Sequence, residues 1–182
     1  MQTTPLKATY QDYCKLPDES RYELIEGELL MTPSPNRFHQ EVAHRLNEAI
    51  SRYVSDHGLG KVYFAPLDVV LSDHDVVQPD LLFVSHRRKE ILKDENIQGA
   101  PDLVVEITSP SSRERDRLIK KGLYARYGVQ EYWLVDLERR SIEVLSLKDA
   151  EYGLVGIFSQ GDLLSTSIFP GLNLPVGTVF EP

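Results

Sequence analysis

The sequence predicts a single α/β domain, and three observations carry that expectation. Apolar residues at Phe38, Val42, Leu46, Ile50 and Tyr53 with Val54 recur at helical spacing between Asn36 and His57, the pattern of an amphipathic helix laid on a sheet. Leu103-Val104-Val105-Glu106-Ile107 is nearly continuous in apolar residues, as a strand covered on both faces is. Just after it, Ser111 and Glu114 stand at capping-box spacing and open a second helix. Helical and strand periods therefore alternate along the chain, as they do in α/β folds.

Taken in order, Thr9 to Leu16 reads as a short helix ended by Pro17 and the polar Asp18-Glu19-Ser20. Tyr22 to Met31 reads as a hairpin turning near Glu26-Gly27, closed by Pro33 and Pro35. The long helix follows over 36–57, capped by Ser34 or Asn36 and ended by Gly58 or Gly60. Val62 to Leu71 is predicted as one strand, Ser72 to Asp75 as a turn, and Val76 to Val84 as a second strand running through Pro79. Residues 86–100 read as a surface excursion. The strand at Leu103–Ile107 and a helix to about Tyr127, stopped by Gly128, come next. Glu131 to Leu137 and Ser141 to Leu147 form a predicted hairpin, Tyr152 to Phe158 a further strand, and Phe169 to Pro175 an apolar tail that packs down. From residue 36 the order is helix, strand, strand, strand, helix, strand.

Composition narrows the function classes. At 182 residues with 41% hydrophobic and 26% charged content, the whole chain, 1–182, is expected to be one domain. Neither a signal-like start nor an apolar run long enough to span a bilayer is present, which predicts a cytoplasmic protein with no membrane partner. The single cysteine, Cys14, allows neither an internal disulfide nor a cysteine cage for zinc. A net charge of -8 argues against an indiscriminate nucleic-acid coat, but leaves room for a local site that meets phosphate through a metal ion. No Walker loop, GxGxxG or GxSxG occurs, so no nucleotide cofactor is expected. The five histidines show no metal-ligand spacing and read as surface or packing residues.

Chemistry is signalled by polar residues in apolar surroundings. Asp80 immediately precedes Leu81-Leu82-Phe83-Val84, and Glu106 interrupts its strand. A carboxylate removed from water must be paired, protonated or metal-bound, and two on neighbouring strands invite Mg²⁺, which needs only one or two protein carboxylates. On the following helix Asp116, Lys120 and Tyr124 fall along one stripe. The same helix carries Arg113, Arg115, Arg117, Lys120, Lys121 and Arg126, a face that suits a phosphate backbone. Each observation has a plainer reading: a turn cap at Asp80, an arginine partner for Glu106, a solvated Lys120.

Tyr22-Glu23-Leu24-Ile25-Glu26-Gly27-Glu28-Leu29, Gln78-Pro79-Asp80-Leu81, Pro101 to Pro110, Asp116 to Lys120 with Tyr124, and Gly128 to Asp136 together resemble the Uma family of restriction-endonuclease-like proteins, over roughly residues 9–160 and in matching order. The resemblance implies a restriction-endonuclease-like core of the PD-(D/E)xK type, with an N-terminal hairpin and extra C-terminal strands. It implies a metal-dependent endonuclease in which Asp80, Glu106 and the Ile107 carbonyl hold Mg²⁺ or Mn²⁺ and a lysine assists. Thr108 stands where that lysine is expected, and Lys120 is the substitute. Glu28 and Glu41 are candidates for a further acidic ligand, and Arg113, Arg115, Arg117 and Lys121 for contacts to DNA. Two other classes remain open: a nucleic-acid binder that does not cut, and a homodimeric interaction protein using the hairpin at 131–147 and the apolar tail.

Overall fold

The computed structural model describes residues 7–17, 21–108 and 116–181, without the side chains of Asp116 and Arg117. Two sheets organise it. The larger has six strands, in spatial order β11 (Glu151–Ser159), β10 (Ser141–Lys148), β9 (Glu131–Asp136), β8 (Leu103–Thr108), β6 (Leu81–Ser85) and β3 (Gly60–Phe64); the smaller has five, in the order β2 (Glu28–Met31), β1 (Tyr22–Ile25), β5 (Asp75–Val77), β4 (Val69–Ser72) and β7 (Ile97–Gln98).

The N-terminal helix α1 is only Tyr10–Tyr13, shorter than expected, although Thr9 and Asp12 cap each other as a capping box. β1 (Tyr22–Ile25) and β2 (Glu28–Met31) form the expected hairpin. Glu26 and Gly27 both turn at positive φ, 53° and 82°, as a two-residue hairpin turn requires. α2 (Arg37–Asp56) is the long helix; the Asn36 side chain accepts from the His39 N–H and fixes its first turn. Val42, Leu46, Ile50 and Val54, four apart, form its buried stripe, each side chain contributing about 2 kcal/mol of apolar burial.

The next stretch corrects the sequence reading. Each of the two long strands expected over 62–84 divides between the sheets. β3 (Gly60–Phe64) lies in the large sheet and β4 (Val69–Ser72) in the small one; β5 (Asp75–Val77) returns through the small sheet and β6 (Leu81–Ser85) through the large. The breaks fall at Pro66 and Pro79. A proline has no N–H to give a ladder, so the chain changes sheet where it cannot extend the one it is in. Residues 86–100 are less peripheral than expected: a 3₁₀ segment (His86–Ile91) and the short β7 (Ile97–Gln98) bury Ile91, Asn96, Ile97 and Ala100.

β8 (Leu103–Thr108) is buried throughout and pairs antiparallel to β6 and parallel to β9 (Glu131–Asp136). Between them a π-helical turn (Asp116–Lys120) leads into α3 (Lys121–Tyr127), which ends with Gly128 at φ 81°. The expected start of that helix at Ser111 lies outside the described residues. β10 (Ser141–Lys148) and β11 (Glu151–Ser159) complete the large sheet as successive hairpins. α2 and the C-terminal segment, with Phe169, Leu174 and the short α4 (Val176–Val179), cover one face of that sheet. Small-sheet residues Ile25, Val69 and Val77, with Leu123 and Tyr124 of α3, cover the other. With the small-sheet strands β4, β5 and β7 set aside, α2, β3, β6, β8, α3 and β9 reproduce the expected order.

Candidate functional site

The candidate site forms at the seam between the sheets, because Asp80 sits where the chain passes from one sheet to the other. Gln78-Pro79-Asp80 is the crossing from β5 to β6. There the Asp80 carbonyl accepts from the Ala65 N–H at the end of β3, 3.0 Å away. The Asp80 carboxylate accepts the Ile107 N–H at 2.7 Å, taking a ladder position that β6 does not fill. The β6–β8 register, extended by two residues, sets Ile107 opposite Pro79. In an extended strand one residue's N–H and C=O point to the same edge, so the Ile107 carbonyl is directed toward Asp80, and Pro79 has no N–H to offer it.

Glu106 projects from β8 to the face covered by α3, where it is 4% exposed. Its Oε1 accepts from Lys120 Nζ at 2.9 Å and from the Tyr124 hydroxyl at 2.7 Å. Lys120 Nζ also lies 2.8 Å from Glu23 Oε1, and Glu23 Oε1 accepts the Gln78 N–H at 3.0 Å. Glu23 is fully buried. The π turn followed by α3 puts Lys120 and Tyr124 one helical turn apart over β8, so both reach the same carboxylate. Burial pushes the Tyr124 hydroxyl well above its ordinary pKa, and the charges of Glu106 and Glu23 push it the same way; it is a hydrogen-bond donor at neutral pH. His39, in the first turn of α2, brings Nε2 to 3.4 Å from Asp80 Oδ2.

Of the residues singled out from sequence, Glu106, Lys120 and Tyr124 meet directly, and Asp80 meets Ile107. Thr108, at the position where a lysine was expected, is buried and donates to the Val135 carbonyl. The two candidates for a further acid lie elsewhere: Glu28 is exposed at the hairpin, and Glu41 pairs with Arg37 along the helix surface. Arg113 and Arg115 lie outside the described residues, as do the side chains of Asp116 and Arg117. The expected open basic face is reduced by two: Lys120 is buried among carboxylates, and Arg126 is bonded to Glu26 at 2.6 Å. Lys121 stays half-exposed.

Two residues of the site escaped the sequence reading. Glu23 carries the same signal as Glu106, a carboxylate inside an apolar strand in Tyr22-Glu23-Leu24-Ile25. His39 flanks the buried stripe of α2, one turn before Val42.

A hard divalent cation suits these donors. Among the described residues no three His, Cys, Asp or Glu side chains form a ready metal cluster, but Mg²⁺ requires only one or two carboxylates and retains waters. Asp80, Glu106 and the Ile107 carbonyl are all oxygen donors. Glu23 Oε2 is a buried acceptor with no hydrogen-bond partner, so the seam offers more acceptor capacity than its own donors fill.

Comparison with known proteins gives a family and a fold. A family model, Uma2, described as "Putative restriction endonuclease", matches residues 8–177. The chain is similar to the crystal structure of a protein from Anabaena variabilis ATCC 29413, described as a "putative nuclease belonging to DUF820". The likeness has a TM-score of 0.78 at 23% identity and covers 94% of this chain and 97% of that one. The type IIG restriction endonuclease BpuSI matches with a TM-score of 0.46 at 16% identity, over 84% of this chain and 18% of that enzyme. No curated protein matches the sequence.

Proposed function

Because the chain belongs to the Uma2 family, whose description is "Putative restriction endonuclease", and has a nuclease-like fold, we propose that it is a metal-dependent endonuclease hydrolysing phosphodiester bonds of DNA. The observation that carries this reading is the meeting of Lys120 with Glu106 and Glu23 inside the fold, one residue along β8 from the N–H that holds Asp80. In this reading it stands for a PD-(D/E)xK arrangement, with the lysine supplied from the π-helical turn that leads into α3.

In this reading Asp80, Glu106 and the Ile107 carbonyl hold Mg²⁺ or Mn²⁺, which when bound activates water and polarises a phosphoryl oxygen. Lys120 supplies positive charge where charge develops on the phosphate, assistance of about 3 kcal/mol when such a donor is preorganised. Glu23 holds that ammonium from the other side, and Tyr124 fixes the Glu106 carboxylate by donating to it. His39 and the Ile107 N–H orient Asp80. Arg113, Arg115, Arg117 and Lys121 meet the DNA backbone, so binding weakens as salt rises.

A homodimer fits the same reading, since a duplex has two strands and two-fold pairs are the commonest soluble assemblies. The edge strand β11 favours it: Leu154, Val155 and Ile157 are exposed on an unpaired edge of the large sheet, the kind of edge that pairs with another chain.

The test is nicking of supercoiled plasmid with Mg²⁺ or Mn²⁺ by the wild type, Glu106→Gln and Asp80→Asn. Nicking that needs the cation and disappears in both variants supports the proposal. Cation-independent nicking, or equal activity in the variants, sinks it.

A further inference from the structure

β3 is the last strand of the large sheet, and among the described residues its outer edge pairs with nothing. Its two ends differ in character. At one end Phe64 stands opposite Leu81, the neighbour of Asp80, and is 61% exposed. The Ala65 N–H ties that end to the Asp80 carbonyl at 3.0 Å. At the other end Gly60 stands opposite Ser85, and the His86 N–H donates to the Leu59 carbonyl. That bond sets the 3₁₀ segment, which begins His86-Arg87-Arg88-Lys89, against the start of β3.

Charge along this edge is the reverse of the chain's. The protein carries a net charge of -8, and Lys15, Arg37, Arg52 and Arg126 each pair with a carboxylate. Lys61, Arg87 and Lys89 are exposed, and among the described residues none of them is in an ion pair. Ser85 is four residues along β6 from Leu81, about 14 Å of strand, which is the length of about four nucleotide steps. A lysine on an edge strand opposes the addition of another strand, so Lys61 keeps this edge open. Cations that track phosphates, with an exposed ring for a base to stack on, are the two features by which proteins hold single strands. An acidic peptide matches the cations but has no use for a ring beside Asp80.

We propose that the DNA strand to be cut lies along the β3 edge, with its phosphates on Lys61, Arg87 and Lys89 and an unpaired base on Phe64. The inference rests on the nuclease reading of the seam, which it deepens by naming the substrate class: DNA that is single-stranded where it passes Asp80.

The test measures binding of the full chain to a labelled 20-nucleotide oligothymidine, and to a duplex of the same length, by fluorescence anisotropy across a salt series in EDTA. No cleavage is needed. Arg87→Gln with Lys89→Gln is expected to weaken both complexes about tenfold at low salt and to flatten the single-strand salt slope by about 1.4. Arg140→Gln with Lys148→Gln, an equal change of charge at the two ends of β10, is expected to leave affinity and slope as they were. Phe64→Leu is expected to weaken the single strand at least fivefold, with its slope unchanged and the duplex little affected. A wild type that binds no oligonucleotide overturns the proposal. So do equal losses in the two charge-changed pairs, full binding by Phe64→Leu, or a polyglutamate peptide held as tightly as the DNA. The expected binding pattern in a protein that nicks nothing with Mg²⁺ or Mn²⁺ supports the β3 edge as the DNA track and removes the nuclease reading alone.

Discussion

Lys120 is held between two buried carboxylates, and its ammonium pairs with both. Lys120→Met therefore leaves Glu23 and Glu106 without that ammonium, a loss expected to destabilise the fold by about 3–5 kcal/mol in urea unfolding; adding Glu23→Gln is expected to restore part of it. A second residue-scale expectation concerns acid. Burial alone would raise the Asp75 carboxyl, but bonds from the Glu26 N–H and the Tyr127 and Ser72 hydroxyls, with Arg126 nearby, outweigh it and hold the group below its ordinary value. A depressed folded-state pKa contributes stability that is present above the unfolded pKa and lost as pH falls through the folded one. Wild-type stability is thus expected to fall below about pH 4, whereas Asp75→Asn starts lower and loses less on acidification, measured by denaturant melts across that range. At this scale Glu106 was legible because a lone charge interrupts a strand otherwise apolar. Glu23 carries the same signal on a shorter strand, but its depth comes from the packing of the small sheet on the large one, which no local pattern reports. Lys120 was legible as a candidate, but its depth was not: a lysine in a basic helix looks solvated until the carboxylates it meets are known.

Elements tell a parallel story about proline. Apolar content alone joined β3 with β4 and β5 with β6, since all four alternate in much the same way; Pro66 and Pro79 divide them, and the second division creates the site by putting Asp80 at a crossing. The closeness of β3 to β6 is checked at Gly60, where an added Cβ would stand 2.1 Å from the Val84 carbonyl oxygen. Because the obstacle is backbone, Gly60→Ala is expected to cost about 1–3 kcal/mol and to loosen amide protection along β3 first. Glu131 performs a comparable service for the C-terminal segment. It is fully buried and accepts from Trp133 Nε1, the hydroxyls of Thr166 and Ser167, and the Ser167 N–H. The sequence offered it only as part of a strand; its Thr166 and Ser167 partners lie some 35 residues on, a distance no local pattern reports. Glu131→Ala leaves those donors unpaired, with a cost of about 1–3 kcal/mol for each buried group. Hydrogen exchange is expected to show the loss first in residues 164–180.

For the molecule as a whole, family and core order were legible from five motifs in sequence, while the two-sheet construction was not, because nothing local distinguishes strands that share a sheet from strands that do not. The exposed apolar edge at β11 belongs to this scale. If two copies join there, Ile157→Lys is expected to shift the sedimenting species from dimer to monomer without changing the unfolding midpoint by more than a few degrees; a wild type that sediments as a monomer at all concentrations removes that part of the account. The central claim is that the seam around Asp80, Glu106 and Lys120 is a metal-dependent nuclease site. It is tested most directly by titrating Mg²⁺ and Mn²⁺ calorimetrically into the wild type and Asp80→Ala, with nicking of plasmid and single-stranded DNA assayed on the same samples and folding checked by their unfolding transitions. The expected result is cation binding and nicking in the wild type, both lost in a folded Asp80→Ala. A wild type that binds neither cation and cuts neither substrate, or an Asp80→Ala protein that does both, contradicts it.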